Sequence, residues 1–146
     1  MSAEPIHIVD YDETWPQLFA ELGSDLRRAL GATAIRIDHI GSTAVPGLAA
    51  KPIIDVQVSV LEFEPLDAYR IPLAGIGLRH RENTDRTKRY FRERPGARRT
   101  HVHVRRVGSF SEQLSLLFRD YLRADAAAAR EYASLKREFA ARFSND

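Results

Sequence analysis

A Gly-Ser pair is the first feature of the sequence whose residue types could do chemistry. Gly41 and Ser42 stand in the stretch "DHIGSTAVPGLAAKPIIDVQV", residues 38 to 58. A Gly-Ser pair at the end of a strand lets backbone amides and one hydroxyl approach an anionic group closely. If "TAVPGL" begins a helical turn, its N-terminal amides add positive potential, which suits a phosphate. The pair is therefore a candidate phosphate-binding turn.

A carboxylate follows this turn at a spacing that could serve the same phosphate. Twelve residues separate Ser42 from Asp55, and Asp55 and Gln57 share one face if the segment is a strand. Asp55 could hold a divalent cation such as Mg²⁺, Mn²⁺ or Zn²⁺, and Lys51 could add a positive charge. The residues alone leave a second interpretation open, in which Gly41 is a loop residue, Asp55 is a solvated edge residue and Lys51 is a surface residue.

Two histidines form the third chemical feature. His101 and His103 in "RTHVHVRRV" point to the same face of a strand, where they could chelate a metal or act as a general base near neutral pH. The alternative is that both are polar residues on the solvent side of a sheet. His39, directly before the Gly-Ser turn, could join them or could hydrogen-bond the turn.

Cationic side chains are concentrated between residues 79 and 106, where they meet only three acidic ones, Glu82, Asp85 and Glu93. This segment predicts a local positive field. The candidates to bind phosphate or an acidic substrate are Arg81, Lys88, Arg89 and Arg105. Arginine suits this role because its guanidinium can contact a phosphate with two hydrogen bonds.

The elements that must position these residues follow from periodicity and turn signals. They are a short strand at 6–12, an amphipathic helix with a Thr14 to Gln17 capping box that ends at Gly31, strands at 34–42 and 52–60, a helix at 66–75, strands at 77–83, 87–94 and 99–107, and two C-terminal helices that begin near Ser109 and Asp125. The apolar stripe of the first C-terminal helix consists of Leu114, Leu117, Phe118, Tyr121 and Leu122.

Length and composition limit the class of protein. The 146 residues, 44% hydrophobic and 29% charged, predict one globular domain with one core. The absence of cysteine excludes disulfides and thiolate metal sites, and fits a reducing compartment. We expect a cytoplasmic protein without a membrane partner, since no window approaches ~18 apolar residues and the N-terminus lacks a basic segment followed by an apolar run. A net charge of +2 gives no overall bias toward nucleic acid.

Three segments together resemble a known family. The string "HIGSTAVPGLAAKPIIDV", with the later "RTHVHV" and "FRDYLRADAAAAREYASLKREFA", is similar to the GrpB-like family, whose members resemble the nucleotidyltransferase superfamily of polymerase beta type. The resemblance covers nearly the whole chain and is weakest over residues 61 to 99. It implies a single domain over 1–146 with an α+β fold, in which helices pack on a mixed sheet of about four or five strands and two helices close the chain. The element order derived above agrees.

The resemblance also implies roles for particular residues. In nucleotidyltransferases a Gly-Ser or Gly-Gly pair is followed, after about a dozen residues, by two acids on one strand, and a third acid comes from a later strand. Gly41 and Ser42 match the pair, and Asp55 matches the first acid. Gln57 stands at the second acid position, and the later strand offers His101 and His103.

The replacement of the second and third acids by Gln57 and the histidines changes which metal the site could hold. A two-metal mechanism uses carboxylates to gather its cations, whereas Gln is a weaker ligand for a hard ion and His prefers softer metals such as zinc or manganese. Two possibilities follow. Asp55, with Gln57, His101 or His103, holds one divalent metal, or the pocket is purely basic and holds none.

The leading hypothesis is a nucleotidyltransferase-like protein that binds a nucleotide or another phosphorylated compound and transfers a nucleotidyl group to a small acceptor. The expected roles are a metal ligand at Asp55, a phosphate-binding turn at Gly41 and Ser42, charge balance by Lys51 or Arg89, and a base or metal ligand at His101 or His103.

The rival hypothesis is a non-catalytic accessory module that binds a phosphorylated ligand or a partner protein. The residues that replace the second and third acids motivate it. In the family that the chain resembles, such domains are also joined to dephospho-coenzyme A kinase, which suggests a supporting role near coenzyme A metabolism. Nucleic-acid binding is a weaker third hypothesis, because the net charge is low and no stacking motif is evident.

Overall fold

A computed structural model describes residues 7–143. The elements are helix α1 (Trp15–Leu30), strands β1 (Arg36–Ile40) and β2 (Ile54–Val60), helix α2 (Asp67–Gly75), strands β3 (Leu78–Arg81), β4 (Arg89–Glu93) and β5 (Thr100–Arg106), and helices α3 (Phe110–Ala124) and α4 (Ala126–Phe143). The predicted α+β class and the two C-terminal helices are confirmed. None of the helices described is both long and apolar enough to cross a bilayer.

The five strands form one mixed sheet in the order β1-β2-β5-β4-β3. Strands β2 and β5 run parallel at its centre, and the other neighbouring pairs are antiparallel. The parallel register places Asp55 opposite His101 and Gln57 opposite His103. Since side chains alternate between the faces of a strand, these four residues lie on the same face of the sheet.

The other face of the sheet carries the main core. Val56 and Val58 of β2 and Val102 of β5 are fully buried there, and they pack with residues of α1 and α2 such as Leu26 and Leu73. The alternation predicted for β2 and β5 is therefore confirmed. It leaves the odd-numbered residues of both strands to the face where Asp55 lies.

Helix α3 covers the β1 side of the Asp55 face. The Arg119 guanidinium donates to the His39 carbonyl oxygen at 3.2 Å and lies 3.5 Å from the Asp38 carboxylate. Glu112, in the first turn of α3, is fully buried, and its carbonyl oxygen accepts a hydrogen bond from the Gln57 side chain at 3.4 Å. The side chains further along the sheet, toward β4, stay partly exposed.

Two local predictions near the N-terminus were wrong. Instead of a strand over 6–12, the described part of that segment makes an isolated bridge between Val9 and Ala50. The side chain of Thr14 does not cap α1, because its hydroxyl donates to the Asp12 carboxylate at 2.6 Å. Asp12 also accepts the Thr14 backbone N–H at 2.8 Å, so the carboxylate orders the start of the helix.

The apolar stripe of α3 does not face the core, as such a stripe usually does. Leu122 is buried against Val45 and Leu48, but Leu114, Leu117, Phe118 and Tyr121 are exposed. Polar contacts decide this orientation. Besides the Arg119 contacts, Arg123 Nε donates to the Ala44 carbonyl oxygen at 2.8 Å, and these bonds hold the polar side of α3 against β1 and the turn that follows it.

Candidate metal and phosphate site

Asp55, His101 and His103 lie together on the partly exposed face of β2 and β5. The Nε2 atom of His103 is 3.0 Å from Asp55 Oδ1, and the Nδ1 atom of His101 is 3.6 Å from the same oxygen. One ligand atom from each residue can be chosen so that all three lie within 4.8 Å of one another. The structure thus brings the three predicted catalytic residues into one group.

Both histidines of this group are held in their neutral form. Burial lowers the pKa of His101 to about 4, against the opposing effect of the Asp55 charge. Burial also lowers the pKa of His103, although its hydrogen bond to Asp55 opposes the shift. Neutral imidazole is the form that binds metals, while a base with so low a pKa is a weak proton acceptor at neutral pH. The site therefore favours a ligand role over a base role for His101.

The donor set fits a borderline divalent metal. One carboxylate and two imidazoles suit zinc, manganese or iron, whereas Mg²⁺ prefers oxygen ligands. His101 Nε2 is buried and has no hydrogen-bond partner in the described part of the chain. A neutral, incompletely bonded imidazole next to a carboxylate is compatible with metal binding, so Asp55, His101 and His103 are the residues that could hold the ion.

Lys88 contacts the outer nitrogen of one of these histidines. Its Nζ atom lies 3.0 Å from His103 Nδ1. An ammonium group can only donate, so Nδ1 accepts and the ring hydrogen stands on Nε2, which donates to Asp55. A metal bound at Nε2 would require the hydrogen to stand on Nδ1. Metal binding there therefore competes with the Lys88 contact.

The Gly41 turn packs directly against Asp55. Gly41 has a φ of +75°, and a Cβ atom placed on it would lie 2.9 Å from Asp55 Oδ2. A short 3₁₀ helix, Ser42–Ala44, follows Gly41, so the helical turn begins within the Gly-Ser pair and covers only the first two residues of "TAVPGL". Only glycine combines this backbone conformation with so close an approach. The candidate phosphate-binding turn and the candidate metal ligand are thus neighbours.

Gln57 lies in a polar network that does not favour a cation. The side chain is fully buried, and its Oε1 atom accepts a hydrogen bond from Arg105 Nη1 at 2.8 Å. A guanidinium bonded to this oxygen repels a metal ion. A metal-ligand role for Gln57 stays a prediction, and its surroundings point instead to a role in holding Arg105.

His39 and Arg89 lie on the opposite face of the sheet. His39 pairs with Val56 in register, its ring stacks on Phe19 at 4.8 Å between centroids, and its Nε2 atom is 2.9 Å from Thr43 Oγ1. Of the two roles considered, His39 therefore bonds the turn and does not join the other histidines.

The structure also does not bring Arg89 to the Asp55 group. Its guanidinium lies over the Phe63 ring at 4.3 Å and is 3.7 Å from the Glu64 carboxylate. Lys51 is exposed in the segment before β2. The sequence could have predicted that Arg89 and Lys88 lie on opposite faces of the sheet, because consecutive residues of a strand point in opposite directions.

Three further side chains border the group. The Tyr90 ring lies 5.4 Å from the rings of both His101 and His103, and Arg92 stands opposite His101 in the β4–β5 register. Arg105 stands two residues after His103 on the same face. The signal that could have found them is the alternation of β4 and β5, read together with the pairing of the two strands.

Comparison with known proteins agrees with this architecture. The family model described as GrpB protein matches residues 5–146. YqkA of Bacillus subtilis is 39% identical over 137 residues, which are 93% of this chain and 40% of YqkA. The protein SCO7215 of Streptomyces coelicolor is 42% identical over 90% of this chain and 69% of its own length. A dephospho-CoA kinase of Mycobacterium tuberculosis is 33% identical, and the match spans 90% of this chain but 39% of the kinase.

Two solved structures show how far the likeness extends. GrpB from Enterococcus faecalis superposes with a TM-score of 0.87 at 36% identity, over 96% of this chain and 86% of that one. The Cid1 poly(U) polymerase with MgGTP bound superposes with a TM-score of 0.61 at 15% identity, over 88% of this chain and 43% of the polymerase. The second likeness shows a nucleotidyltransferase-like fold. With a family match over nearly its whole length and relatives of this similarity, the chain belongs to the GrpB family.

Proposed function

We propose that this chain binds a nucleotide through its phosphate groups, beside Asp55, His101 and His103, and transfers the nucleotidyl group to a small acceptor. The observation that carries the proposal is the contact between the Gly41 turn and Asp55, with both histidines within 3.6 Å of that carboxylate. The fold shared with a polymerase that binds MgGTP supports it.

A divalent metal held by Asp55, His101 and His103 would supply positive charge next to the phosphates. The neutral imidazoles favour Zn²⁺ or Mn²⁺ over Mg²⁺ in this role. The chain's own contribution is the backbone of the Gly41–Ser42 turn, whose amides can donate to phosphate oxygens. Lys51, exposed just before β2, would add charge at the same end of the strand.

The transfer step would follow from this placement. The hydroxyl oxygen of the acceptor forms a bond to the α-phosphorus of the nucleotide, and the bond from that phosphorus to the bridging oxygen breaks. Pyrophosphate leaves with the electron pair of the broken bond. The hydroxyl proton passes to water, because the pKa of His101, about 4, makes this ring a weak base. Catalysis would then rest on positioning and charge.

The test is isothermal titration with ATP, GTP, CTP and UTP, with Mg²⁺, Mn²⁺, Zn²⁺ or no metal. We expect binding of at least one nucleotide in the presence of Mn²⁺ or Zn²⁺, and a loss of about tenfold or more in affinity for Asp55→Asn. The matched control is Asp25→Asn, an aspartate on α1 that pairs with Arg28. If the wild type binds none of the four nucleotides with any of the metals, the proposal is wrong.

One observation favours a second candidate function, a non-catalytic binding module. Gln57, in place of a second acid, is buried and bonded to Arg105, so no second carboxylate ligand lies next to Asp55 among the residues that the structure describes. The match to part of a dephospho-CoA kinase is compatible with an accessory role near coenzyme A metabolism. Release of pyrophosphate from a nucleotide by the wild type, but not by Asp55→Asn, would exclude this candidate.

A further inference from the structure

Arg105 is a partly buried cation with one anchored nitrogen. Its Nη1 atom donates to Gln57 Oε1 at 2.8 Å, whereas its Nε atom is buried and has no hydrogen-bond partner in the described part of the chain. A guanidinium has five N–H donors in a rigid plane. The Gln57 bond fixes the plane of the group and leaves the buried Nε N–H unsatisfied, so an oxyanion that reached this edge would satisfy it with two parallel bonds.

No carboxylate of the described residues lies within ion-pair distance of Arg105. Arg119, on the same side of the sheet, has both Asp38 at 3.5 Å and Asp120 at 2.9 Å. A partly buried charge without a close counter-ion is costly, and a bound anion would reduce that cost.

Lys88, the neighbouring cation, contacts a histidine of the Asp55 group. Lys88 Nζ lies 3.0 Å from His103 Nδ1, and its ammonium is a point charge that cannot offer two parallel donors to one oxyanion. The neutral amide of Gln57 holds Arg105 and leaves its positive charge uncompensated. A carboxylate at this position would neutralise that charge. Three cations border the Asp55 group. Arg92 pairs with Glu93 at 3.4 Å, and Lys88 lacks a planar pair of donors, so Arg105 is the one whose guanidinium is oriented and has no carboxylate partner among the described residues.

We propose that Arg105 binds the doubly charged terminal phosphate of a phosphomonoester or polyphosphate ligand, and that Gln57 is its positioning residue. The proposal rests on the proposed function for the location of the ligand. It adds a preference for a terminal phosphate over an internal phosphodiester, because an unneutralised guanidinium gains most from a dianion.

Two probes test the proposal by isothermal titration with Mn²⁺ present and absent: inorganic pyrophosphate, and ATP compared with its γ-methyl ester. We expect Arg105→Gln to weaken pyrophosphate and ATP binding by about tenfold or more, and Arg105→Lys to recover only part of the affinity, since lysine cannot make two parallel bonds. The wild type should prefer ATP to the ester. The matched control is Arg106→Gln, because Arg106 is exposed and points to the other face of β5.

Gln57→Glu gives a second readout that does not remove the arginine. The new carboxylate would pair with Arg105, so we expect weaker pyrophosphate binding even though a metal ligand has been added next to Asp55. Circular dichroism checks that each variant is folded. Unchanged affinity in both Arg105→Gln and Gln57→Glu, with a wild type that binds, overturns this proposal and leaves the proposed function standing. A wild type that binds neither probe overturns this proposal, and titration with all four nucleotides decides the proposed function separately.

A different observation concerns the outward face of α3 and α4. Phe118 of α3 and Tyr132 of α4, each seven residues from Asp125, make a ring contact at 5.3 Å, so the two helices form an antiparallel pair. Their exposed apolar side chains are Phe110 at 80%, Leu114 at 52%, Leu117 at 65%, Phe118 at 44%, Tyr121 at 55% and Leu135 at 54% exposure. We call these six side chains the α3–α4 face.

We infer that the α3–α4 face is the contact surface for a second copy of this chain. A whole aromatic side chain has a surface of about 150–250 Å², and a leucine side chain has somewhat less. Multiplied by the exposed fractions of the six side chains, these values give an exposed apolar area of roughly 700 Å² for the α3–α4 face. Such an area exceeds the roughly 300–600 Å² patch of an ordinary monomer and approaches the roughly 800 Å² that each partner buries in a stable interface. The six side chains are apolar, and the same patch on each of two copies can pack against itself about a two-fold axis.

Sedimentation equilibrium tests this inference. We expect a dimer for the wild type, and a dissociation constant increased by about tenfold or more in Leu117→Glu and in Phe110→Glu. The matched control is Leu61→Glu, since Leu61 is 65% exposed but lies just after β2. A wild type that is monomeric at all concentrations, or a dimer unaffected by both α3 variants, would overturn the inference. If the α3–α4 face instead binds a different protein, the purified chain sediments as a monomer, so the same measurement distinguishes the two occupants.

Discussion

At the scale of single residues, the contact between Gly41 and Asp55 predicts that alanine is not tolerated in the turn. Gly41 has a φ of +75°, and an added Cβ would lie 2.9 Å from Asp55 Oδ2. We expect Gly41→Ala to lower the free energy of unfolding by about 1–3 kcal/mol through backbone strain, with a further loss from the displaced Asp55. Urea unfolding measures the stability, and titration with Mn²⁺ or Zn²⁺ reports on Asp55.

Gly47→Ala is the control that separates these two effects. Gly47 has a φ of +81°, but a Cβ atom there would meet nothing within 4 Å. The two variants share backbone strain and differ in the clash with Asp55. Equal losses of stability, with metal binding intact in both, would contradict the role assigned to the Gly41–Asp55 contact.

At the scale of elements, the start of α3 couples the helix to the site. The Ser109 hydroxyl oxygen accepts from the Glu112 backbone N–H at 3.3 Å, and the Glu112 carboxylate accepts the Gly108 N–H at 2.8 Å. Because the Glu112 carbonyl oxygen also holds Gln57, this turn orders one wall of the site.

We expect Ser109→Ala to cost about 1 kcal/mol of stability in urea unfolding. Ser134→Ala, at an exposed position within α4, should be neutral or slightly stabilising, and a similar loss there would argue against a specific cap.

At the scale of the whole molecule, buried neutral histidines predict acid sensitivity. Burial lowers the pKa of His39 from 6.5 to about 4, as it does for His101. Between these values the unfolded chain binds more protons than the folded one, so stability is greatest above pH 6.5 and falls as the pH drops toward 4. The loss due to His39 alone is on the order of 3 kcal/mol. Urea unfolding across this pH window measures the slope.

His39→Gln should flatten this pH dependence whatever its effect on stability at neutral pH, because glutamine does not titrate. His7→Gln is the control, since His7 is exposed. A slope that is the same in His39→Gln and in the wild type would show that His39 does not titrate as its burial indicates.

Local pattern alone determined several features of this protein. The alternation of "PIIDVQVSV" and "RTHVHVRRV" assigned Asp55 to one face of its strand and put His101 and His103 on a common face of theirs, because side-chain direction in a strand depends only on residue parity. The Gly-Ser pair marked the turn, since a positive φ favours glycine. Helices α1 and α2 followed from apolar spacing, which is also a local property.

Only the tertiary structure decided how these parts meet. The parallel pairing of β2 with β5 brings Asp55 to His101 and His103 across 46 and 48 residues of sequence, and the same pairing bonds Gln57 to Arg105. The outward turn of the apolar stripe on α3 depends on hydrogen bonds from Arg119 and Arg123 to distant carbonyl groups. Such contacts depend on strand register and helix docking, which are set by packing between remote segments and leave no periodic signal in the sequence.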